Sequence, residues 1–218
     1  MHKTISNLIE IEKEIHLKNL NLKRKVRIIA VSKTFSKENI LPLINYGHID
    51  FGENKVQEAE DKWTQIKLDK KSLQLHMIGK LQTNKVKQAV KIFDYIHSLD
   101  SIKLAKKISE EQKKIKKNLK IFIQINIGNE SQKSGVMIDE LDNFYNVCIK
   151  DFNLDIVGLM CLPPINVEPS NFFESMNKET IKLSLPELSM GMSADYIKAV
   201  KFNSSFLRIG SKIFGKRD

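Results

Sequence analysis

Lys33 and two glycine–serine segments are the residues whose types and spacing could support chemistry. Lys33 follows a short apolar run, so its amine should stand at the edge of a dry interior, where burial favours the neutral, nucleophilic form. Gly191 with Ser193, and Gly210 with Ser211, can bring backbone N–H groups and hydroxyls close to an anion. A lysine amine beside a phosphate site predicts a Schiff base with a phosphate-bearing aldehyde.

Other polar residues admit both a structural and a chemical reading. Arg208 could face a pyridine nitrogen; because arginine keeps its proton, that nitrogen would stay unprotonated and the ring would be a weak electron sink. Each glycine–serine segment could instead be a tight turn, with Ser193 capping the next helix. We interpret Glu53 and Asp100 as helix caps rather than as an acid pair.

The sequence offers no clear metal site and no disulfide framework. Cys148 and Cys161 have no metal-ligand spacing with histidine, and we expect both to be small core residues. His76 and His97 end separate predicted strands without a carboxylate or cysteine at ligand spacing. We therefore expect both histidines to lie at the rim or in the interior of the fold.

Short apolar segments alternate with amphipathic helical segments along the chain. Strands separated by helices pair in parallel, and eight of them can close into a barrel without exposed edges. The strand count favours a (β/α)8 TIM barrel over a doubly wound open sheet. The predicted strands are residues 27–33, 48–52, 73–79, 95–100, 120–127, 154–162, 185–191 and 206–210.

The helices between these strands show apolar residues on one face. Ser36 and Gly47 should begin and end the first of them, and Asp100 or Ser101 should cap the fourth. No helix is predicted after the eighth strand, and an extra N-terminal helix should cover that side of the barrel. The predicted helices are residues 36–46, 53–67, 83–92, 101–117, 139–150, 172–183 and 194–202.

A closed barrel would bring the candidate residues together. Active sites of such barrels lie at the C-terminal ends of the strands, and the usual phosphate site uses the loops after strands seven and eight. Lys33 ends the first predicted strand, while the Gly191 and Gly210 segments follow the seventh and eighth. Because the first and eighth strands are neighbours in a closed barrel, the amine and both segments should share one pocket.

Seven stretches, in order between about residue 26 and residue 218, resemble the YggS/PROSC family of pyridoxal 5'-phosphate (PLP) homeostasis proteins. They centre on Ala30-Val31-Ser32-Lys33, Phe51-Gly52-Glu53-Asn54, His76-Met77-Ile78-Gly79, Ile96-His97-Ser98-Leu99-Asp100, Gly158-Leu159-Met160, Ser189-Met190-Gly191-Met192-Ser193 and Arg208-Ile209-Gly210-Ser211.

This resemblance implies the fold of the alanine racemase N-terminal domain, with PLP on the lysine of the first motif. It also implies phosphate contacts from the last two motifs, an asparagine near the cofactor ring and an arginine by the pyridine nitrogen. The sequence departs from the family pattern at residues 201–203, which does not involve these positions. The implied cofactor-binding residues are Lys33, Asn54, Met192, Ser193, Arg208, Gly210 and Ser211.

The resemblance implies a role in PLP homeostasis without an established reaction, and we expect a carrier with no catalytic residue. The alternative is a PLP-dependent racemase, which needs a second proton donor. In related racemases a second domain of the partner subunit supplies it, and we expect residues 1–218 to form one barrel domain without it. The four tyrosines are interpreted as packing residues: Tyr46, Tyr95, Tyr145 and Tyr196.

Composition and charge fit an ordinary globular domain, with 41% hydrophobic and 28% charged residues. The net charge of +10 comes from lysines spread over predicted helices, which argues against a nucleic-acid partner. No window approaches the roughly 20 apolar residues of a membrane span, and the N-terminus lacks a signal peptide pattern. We expect a cytoplasmic monomer that binds PLP, with PLP-dependent apoenzymes or amino acids as further partners.

Overall fold

Eight parallel strands form a closed barrel in the computed structural model, which describes residues 1–18 and 25–215. The strands are β1 (Arg27–Val31), β2 (Asp50–Glu53), β3 (Gln74–Met77), β4 (Tyr95–Leu99), β5 (Lys120–Ile125), β6 (Asp155–Cys161), β7 (Glu187–Met192) and β8 (Phe206–Ile209). They follow one another around the barrel in chain order, and β8 pairs with β1, with Ile29 opposite Arg208. The predicted (β/α)8 barrel is confirmed over the open sheet.

Helices surround the barrel; most connect consecutive strands, while one precedes β1 and one follows β8. They are α1 (Lys3–Lys18), α2 (Lys37–Tyr46), α3 (Val56–Asp69), α4 (Val86–Ile92), α5 (Ile102–Ile115), α6 (Leu141–Lys150), α7 (Ser170–Lys182), α8 (Tyr196–Lys201) and α9 (Ser211–Phe214). The prediction of no helix after the eighth strand was wrong, because α9 forms one turn there. Its N–H groups at Ile213 and Phe214 both donate to the carbonyl of Gly210.

The N-terminal helix covers the side of the barrel that the short α9 leaves open, as predicted. α1 packs against α2, α8 and α9 and buries Leu8, Ile11 and Ile15. The side-chain amide of Asn7 also donates to the carbonyl of Ile213 at 2.9 Å. The first and last described elements of the chain therefore hold one another in place beside β1.

Most element boundaries lie within a few residues of the predicted ones, and the exceptions have a local cause. β2 begins at Asp50 rather than at residue 48, because the His48 N–H donates to the Leu43 carbonyl in the C-cap of α2. Gly47 ends that helix with a φ of 101°, as predicted. Of the two residues predicted to cap α5, Ser101 holds the N-cap position and Asp100 does not.

Two apolar layers make up the core. The larger lies between the strands and the surrounding helices, and it includes both cysteines, whose thiols are unpaired. Burial raises the pKa of each thiol to about 12. The smaller layer fills the barrel interior and consists of Ile29, Tyr95, Phe122, Met160 and Phe206. Within the described ranges, every helix is too short or too polar to traverse a lipid bilayer.

Candidate functional site

A cavity of about 810 Å³ opens at the C-terminal ends of the strands. A second cavity of about 800 Å³ lies at the opposite end, beside Arg27, His48 and Asp50, but barrel active sites form at the C-terminal end. The first cavity is lined by every residue predicted to bind a cofactor: Lys33, Asn54, Met192, Ser193, Arg208, Gly210 and Ser211. The structure brings these side chains together, and their contacts with a ligand stay a prediction.

The charge of this lining suits an anionic ligand. Lys33 and Arg208 contribute cations, and the described part of the lining contains no carboxylate, histidine or tyrosine. The Asn54 Oδ1 atom is buried and has no hydrogen-bond partner among the described residues. Leaving such an acceptor unsatisfied costs about 1–3 kcal/mol, so a polar group of a ligand would stabilise this site. A phosphorylated pyridine with hydroxyl and aldehyde groups fits both features.

Arg208 forms the floor of the cavity and is held rigidly. Its side chain is 5% exposed, and Nη1 donates to the Ser189 carbonyl at 2.8 Å and to Ser189 Oγ at 2.7 Å. Nη2 donates to the Cys161 carbonyl at 2.8 Å. Burial lowers the pKa of Arg208 from its ordinary value. With these hydrogen bonds fixed, the guanidinium can present only its remaining N–H groups to a ligand.

A chain of hydrogen bonds runs from Arg208 through the barrel interior. Ser189 Oγ lies 3.0 Å from His97 Nδ1, His97 Nε2 lies 2.9 Å from His76 Nδ1, and His76 Nε2 lies 3.0 Å from Asp50 Oδ1. The Asp50 carboxylate can only accept a hydrogen bond, so His76 Nε2 donates to it. His76 Nδ1 then accepts from His97 Nε2, and His97 Nδ1 accepts from Ser189 Oγ. Both histidines therefore carry their proton on Nε2, and the Ser189 hydroxyl donates to His97.

Burial keeps these two imidazoles neutral. It lowers the pKa of His76 even though the hydrogen bond to Asp50 acts in the opposite direction. It lowers the pKa of His97 well below its ordinary value, and the positive charges of Arg208 and Arg27 act in the same direction. The predicted interior position of both histidines is confirmed, but their linkage was missed. The signal available was polar residues at alternate positions of apolar strands, since alternate side chains enter a barrel.

Ser193 connects the two glycine–serine segments rather than capping a helix. The N-cap of α8 is Asp195, whose carboxylate accepts the Met192 N–H at 2.6 Å. The Ser193 hydroxyl instead accepts the Lys212 N–H at 3.4 Å, from the turn that follows β8. The predicted cap at Ser193 was therefore wrong, because Asp195 stands closer to the helix start.

Lys33 lies in a tight turn with an unusual backbone conformation. The Phe35 N–H donates to the Ser32 carbonyl at 3.1 Å, which places Lys33 and Thr34 at the two central positions. Thr34 has a φ of 69°, a value at which turns usually place glycine or asparagine. Strain of this kind in a β-branched residue costs about 1–3 kcal/mol and persists only where neighbouring groups enforce it.

Glu53 is fully buried directly behind this turn. Its Oε1 atom accepts hydrogen bonds from Ser32 Oγ at 2.8 Å, Lys62 Nζ at 3.0 Å and Trp63 Nε1 at 3.0 Å. The predicted helix cap at Glu53 was wrong, because β2 continues through this residue and α3 begins only at Val56. A carboxylate so deeply placed connects the ends of β1 and β2 to α3.

Comparisons with known proteins agree with this geometry. The family model "Alanine racemase, N-terminal domain" matches residues 10–218. The pyridoxal phosphate homeostasis protein of Pasteurella multocida (strain Pm70) is 35% identical, over 97% of each chain. That of Escherichia coli (strain K12) is 34% identical, over 89% of this chain and 87% of its own.

Solved structures show the same similarity. PipY of Synechococcus elongatus PCC7942 with PLP bound is 30% identical, covers 97% of this chain and 100% of its own, and has a TM-score of 0.85. Alanine racemase of Clostridium difficile 630 has a TM-score of 0.75 at 14% identity, over 99% of this chain and 57% of the racemase. At that identity the racemase shares only the fold.

Proposed function

Because this chain belongs to the family of pyridoxal phosphate homeostasis proteins, we propose that it binds PLP and contributes to PLP homeostasis, holding the cofactor as a Schiff base on Lys33. The observation that carries the proposal is one cavity in which this amine meets Arg208 and both glycine–serine segments. The Lys33 nitrogen would form a C=N bond to the aldehyde carbon of PLP, with loss of one water.

The remaining residues of the cavity would hold the cofactor in one orientation. Ser193, Gly210 and Ser211 provide hydroxyl and N–H groups for the phosphate. Arg208 can only donate, so it would leave the pyridine nitrogen unprotonated and the ring a weak electron sink. The Asn54 Oδ1 atom, which lacks a hydrogen-bond partner among the described residues, would accept a hydrogen bond from a donor group of the ring. Such a site would hold PLP in one orientation without promoting carbanion chemistry.

A carrier fits the cavity better than a racemase. Two-base racemisation needs proton donors on both faces of the cofactor, and the described lining contains a single amine and no tyrosine or histidine. We propose that PLP-dependent apoenzymes receive the cofactor. Incubation with L- and D-alanine tests the alternative, and steady racemisation at ordinary enzyme rates would contradict the carrier.

The Schiff base itself predicts that Lys33→Ala abolishes the covalent adduct. The purified protein incubated with PLP should show a visible absorbance band, and borohydride should fix PLP onto the peptide that contains Lys33. The matched control is Lys37→Ala, which removes an exposed amine of α2 outside the cavity and should leave the band unchanged. A Lys33→Ala protein that still forms a borohydride-reducible adduct would contradict the assignment.

A further inference from the structure

The turn that carries Lys33 is held by one face of α3. The Thr34 N–H donates to Glu58 Oε1 at 2.6 Å. On the other side of the lysine, Lys62 Nζ donates to the Ser32 carbonyl at 2.9 Å. Two residues one helical turn apart therefore bind the backbone immediately before and immediately after Lys33.

The two residues of α3 also hold one another. Lys62 Nζ lies 3.0 Å from Glu58 Oε1, an i,i+4 ion pair, and 3.0 Å from the buried Glu53. Burial acts to raise the pKa of Glu58, but the hydrogen bonds from Thr34 and Lys62 outweigh it, so this pKa lies below its ordinary value. Glu58 is thus ionised near neutral pH and binds the Thr34 N–H with a charge-assisted hydrogen bond.

We propose that Glu58 and Lys62 are positioning residues for Lys33: they impose the left-handed conformation of Thr34 and so direct the lysine side chain into the cavity. The proposal rests on the Schiff base function above. A small displacement of a nucleophile has a large effect on its reaction: a misplacement of about 1 Å can lower the rate by on the order of 10²-fold. Neither residue lines the cavity, so both would act only through the turn.

The test uses Glu58, because its side chain is 27% exposed and its removal leaves the buried Glu53–Lys62 pair intact. Glu58→Ala should raise the PLP concentration that half-saturates the visible band about tenfold, which corresponds to about 1.4 kcal/mol of binding free energy. Glu58→Gln keeps an oxygen for the Thr34 N–H and should recover most of this loss. Gln57→Ala, which changes an exposed neighbour on the same helix, is the matched control and should bind PLP like the wild type.

A second variant separates positioning from general destabilisation. Glycine adopts a positive φ without steric cost. Thr34→Gly therefore removes the strain of this conformation, so that Glu58 is no longer needed to impose it. In the Thr34→Gly background, Glu58→Ala should therefore weaken PLP binding by only about twofold to threefold, a coupling that a double-mutant cycle measures. Equal losses in both backgrounds would contradict a role through Thr34.

Hydrogen exchange of the apoprotein gives a readout that does not depend on PLP. The Thr34 amide should exchange faster in Glu58→Ala, while the amide of Ile29 in β1 keeps its wild-type rate. Unchanged exchange at Thr34 together with unchanged PLP affinity would overturn the proposal, whereas a wild type that forms no reducible adduct on Lys33 would overturn the proposed function instead.

Discussion

Ser193 has two properties that make the cavity sensitive to charge at this residue. It lines the cavity, and its hydroxyl accepts the Lys212 N–H from the neighbouring segment. Aspartate at this position would place a negative charge against the expected phosphate, and like charges at contact distance repel strongly where water is partly excluded. We expect Ser193→Asp to raise the half-saturating PLP concentration by at least about tenfold, which corresponds to about 1.4 kcal/mol.

The measurement is a titration of the visible band with PLP. Ser193→Ala is the control, because it removes the hydroxyl without adding charge and should cost about 0.5–1.5 kcal/mol, the contribution of one hydrogen bond. If Ser193→Asp and Ser193→Ala bind PLP equally well, the phosphate does not lie beside this residue.

At the scale of the connecting elements, the loops after β2 and β3 are fitted to one another at Gly79. A Cβ atom at this position would stand 2.4 Å from the Asn54 carbonyl oxygen and 2.8 Å from the Asn54 Cα. Both contacts are with backbone atoms, so the side chain of alanine cannot be accommodated without moving a loop. Since Asn54 lines the cavity, a shift of this loop changes stability and ligand binding together.

Gly79→Ala should therefore lower the free energy of unfolding by about 1–3 kcal/mol, the usual cost of overpacking, and weaken PLP binding as well. Urea denaturation of the apoprotein and PLP titration measure the two effects separately. Lys80→Ala, an exposed change in the same loop, should affect neither. A Gly79→Ala protein with full stability and full PLP affinity would show that the contact with Asn54 is unimportant.

The alternation of apolar strands and amphipathic helices was sufficient to predict all eight strands and the barrel. Helix caps were harder, because a carboxylate or hydroxyl near a helix start has several possible partners. The sequence predicts a cap at Glu53, but Lys62 and Trp63, which follow it in α3, bind its carboxylate in the interior. One of the two interpretations of the Gly191 segment places a cap at Ser193, but Asp195 lies nearer the helix. Which partner such a side chain binds depends on distances in the folded protein, which the spacing of residues in the sequence does not determine.

The candidate cavity was predictable for a different reason. Its residues follow the strands directly, so the closed barrel fixes their positions once the strands are assigned. The turn at Lys33 was not predictable, because threonine seldom adopts a positive φ and the hydrogen bond from Thr34 to α3 joins residues far apart in the sequence. The part of the site that departs from local preference is thus the part that tertiary contacts must enforce.

At the scale of the whole molecule, polar side chains link the two ends of the barrel. The chain from Arg208 through Ser189, His97 and His76 ends at Asp50, which is also bound by Arg27 at the opposite end. Burial acts to raise the pKa of Asp50, but the hydrogen bonds from His76 and Arg27 outweigh it and lower this pKa below its ordinary value. A charged carboxylate therefore fixes the proton positions of both interior histidines.

These buried imidazoles make the stability of the protein depend on pH. Burial lowers the pKa of His48, His76 and His97 in the folded state, whereas the unfolded chain should titrate near the ordinary value of about 6.5. As pH falls through 6.5, these histidines become protonated in the unfolded chain but stay neutral in the folded protein. The free energy of unfolding should thus have its full value above this pH. Below it, the free energy of unfolding should decrease by up to about 1.4 kcal/mol per pH unit for each histidine.

His97→Gln isolates one of these contributions, because glutamine can accept from Ser189 and donate to His76 without titrating. Urea denaturation at intervals between pH 5 and pH 7 should give a smaller decrease in unfolding free energy for His97→Gln than for the wild type. The difference between the two slopes should approach about 1.4 kcal/mol per pH unit, since all other groups titrate alike in both proteins. Parallel slopes would mean that His97 takes up a proton as readily in the barrel as in the unfolded chain, and the fixed direction of the interior hydrogen bonds would then be wrong.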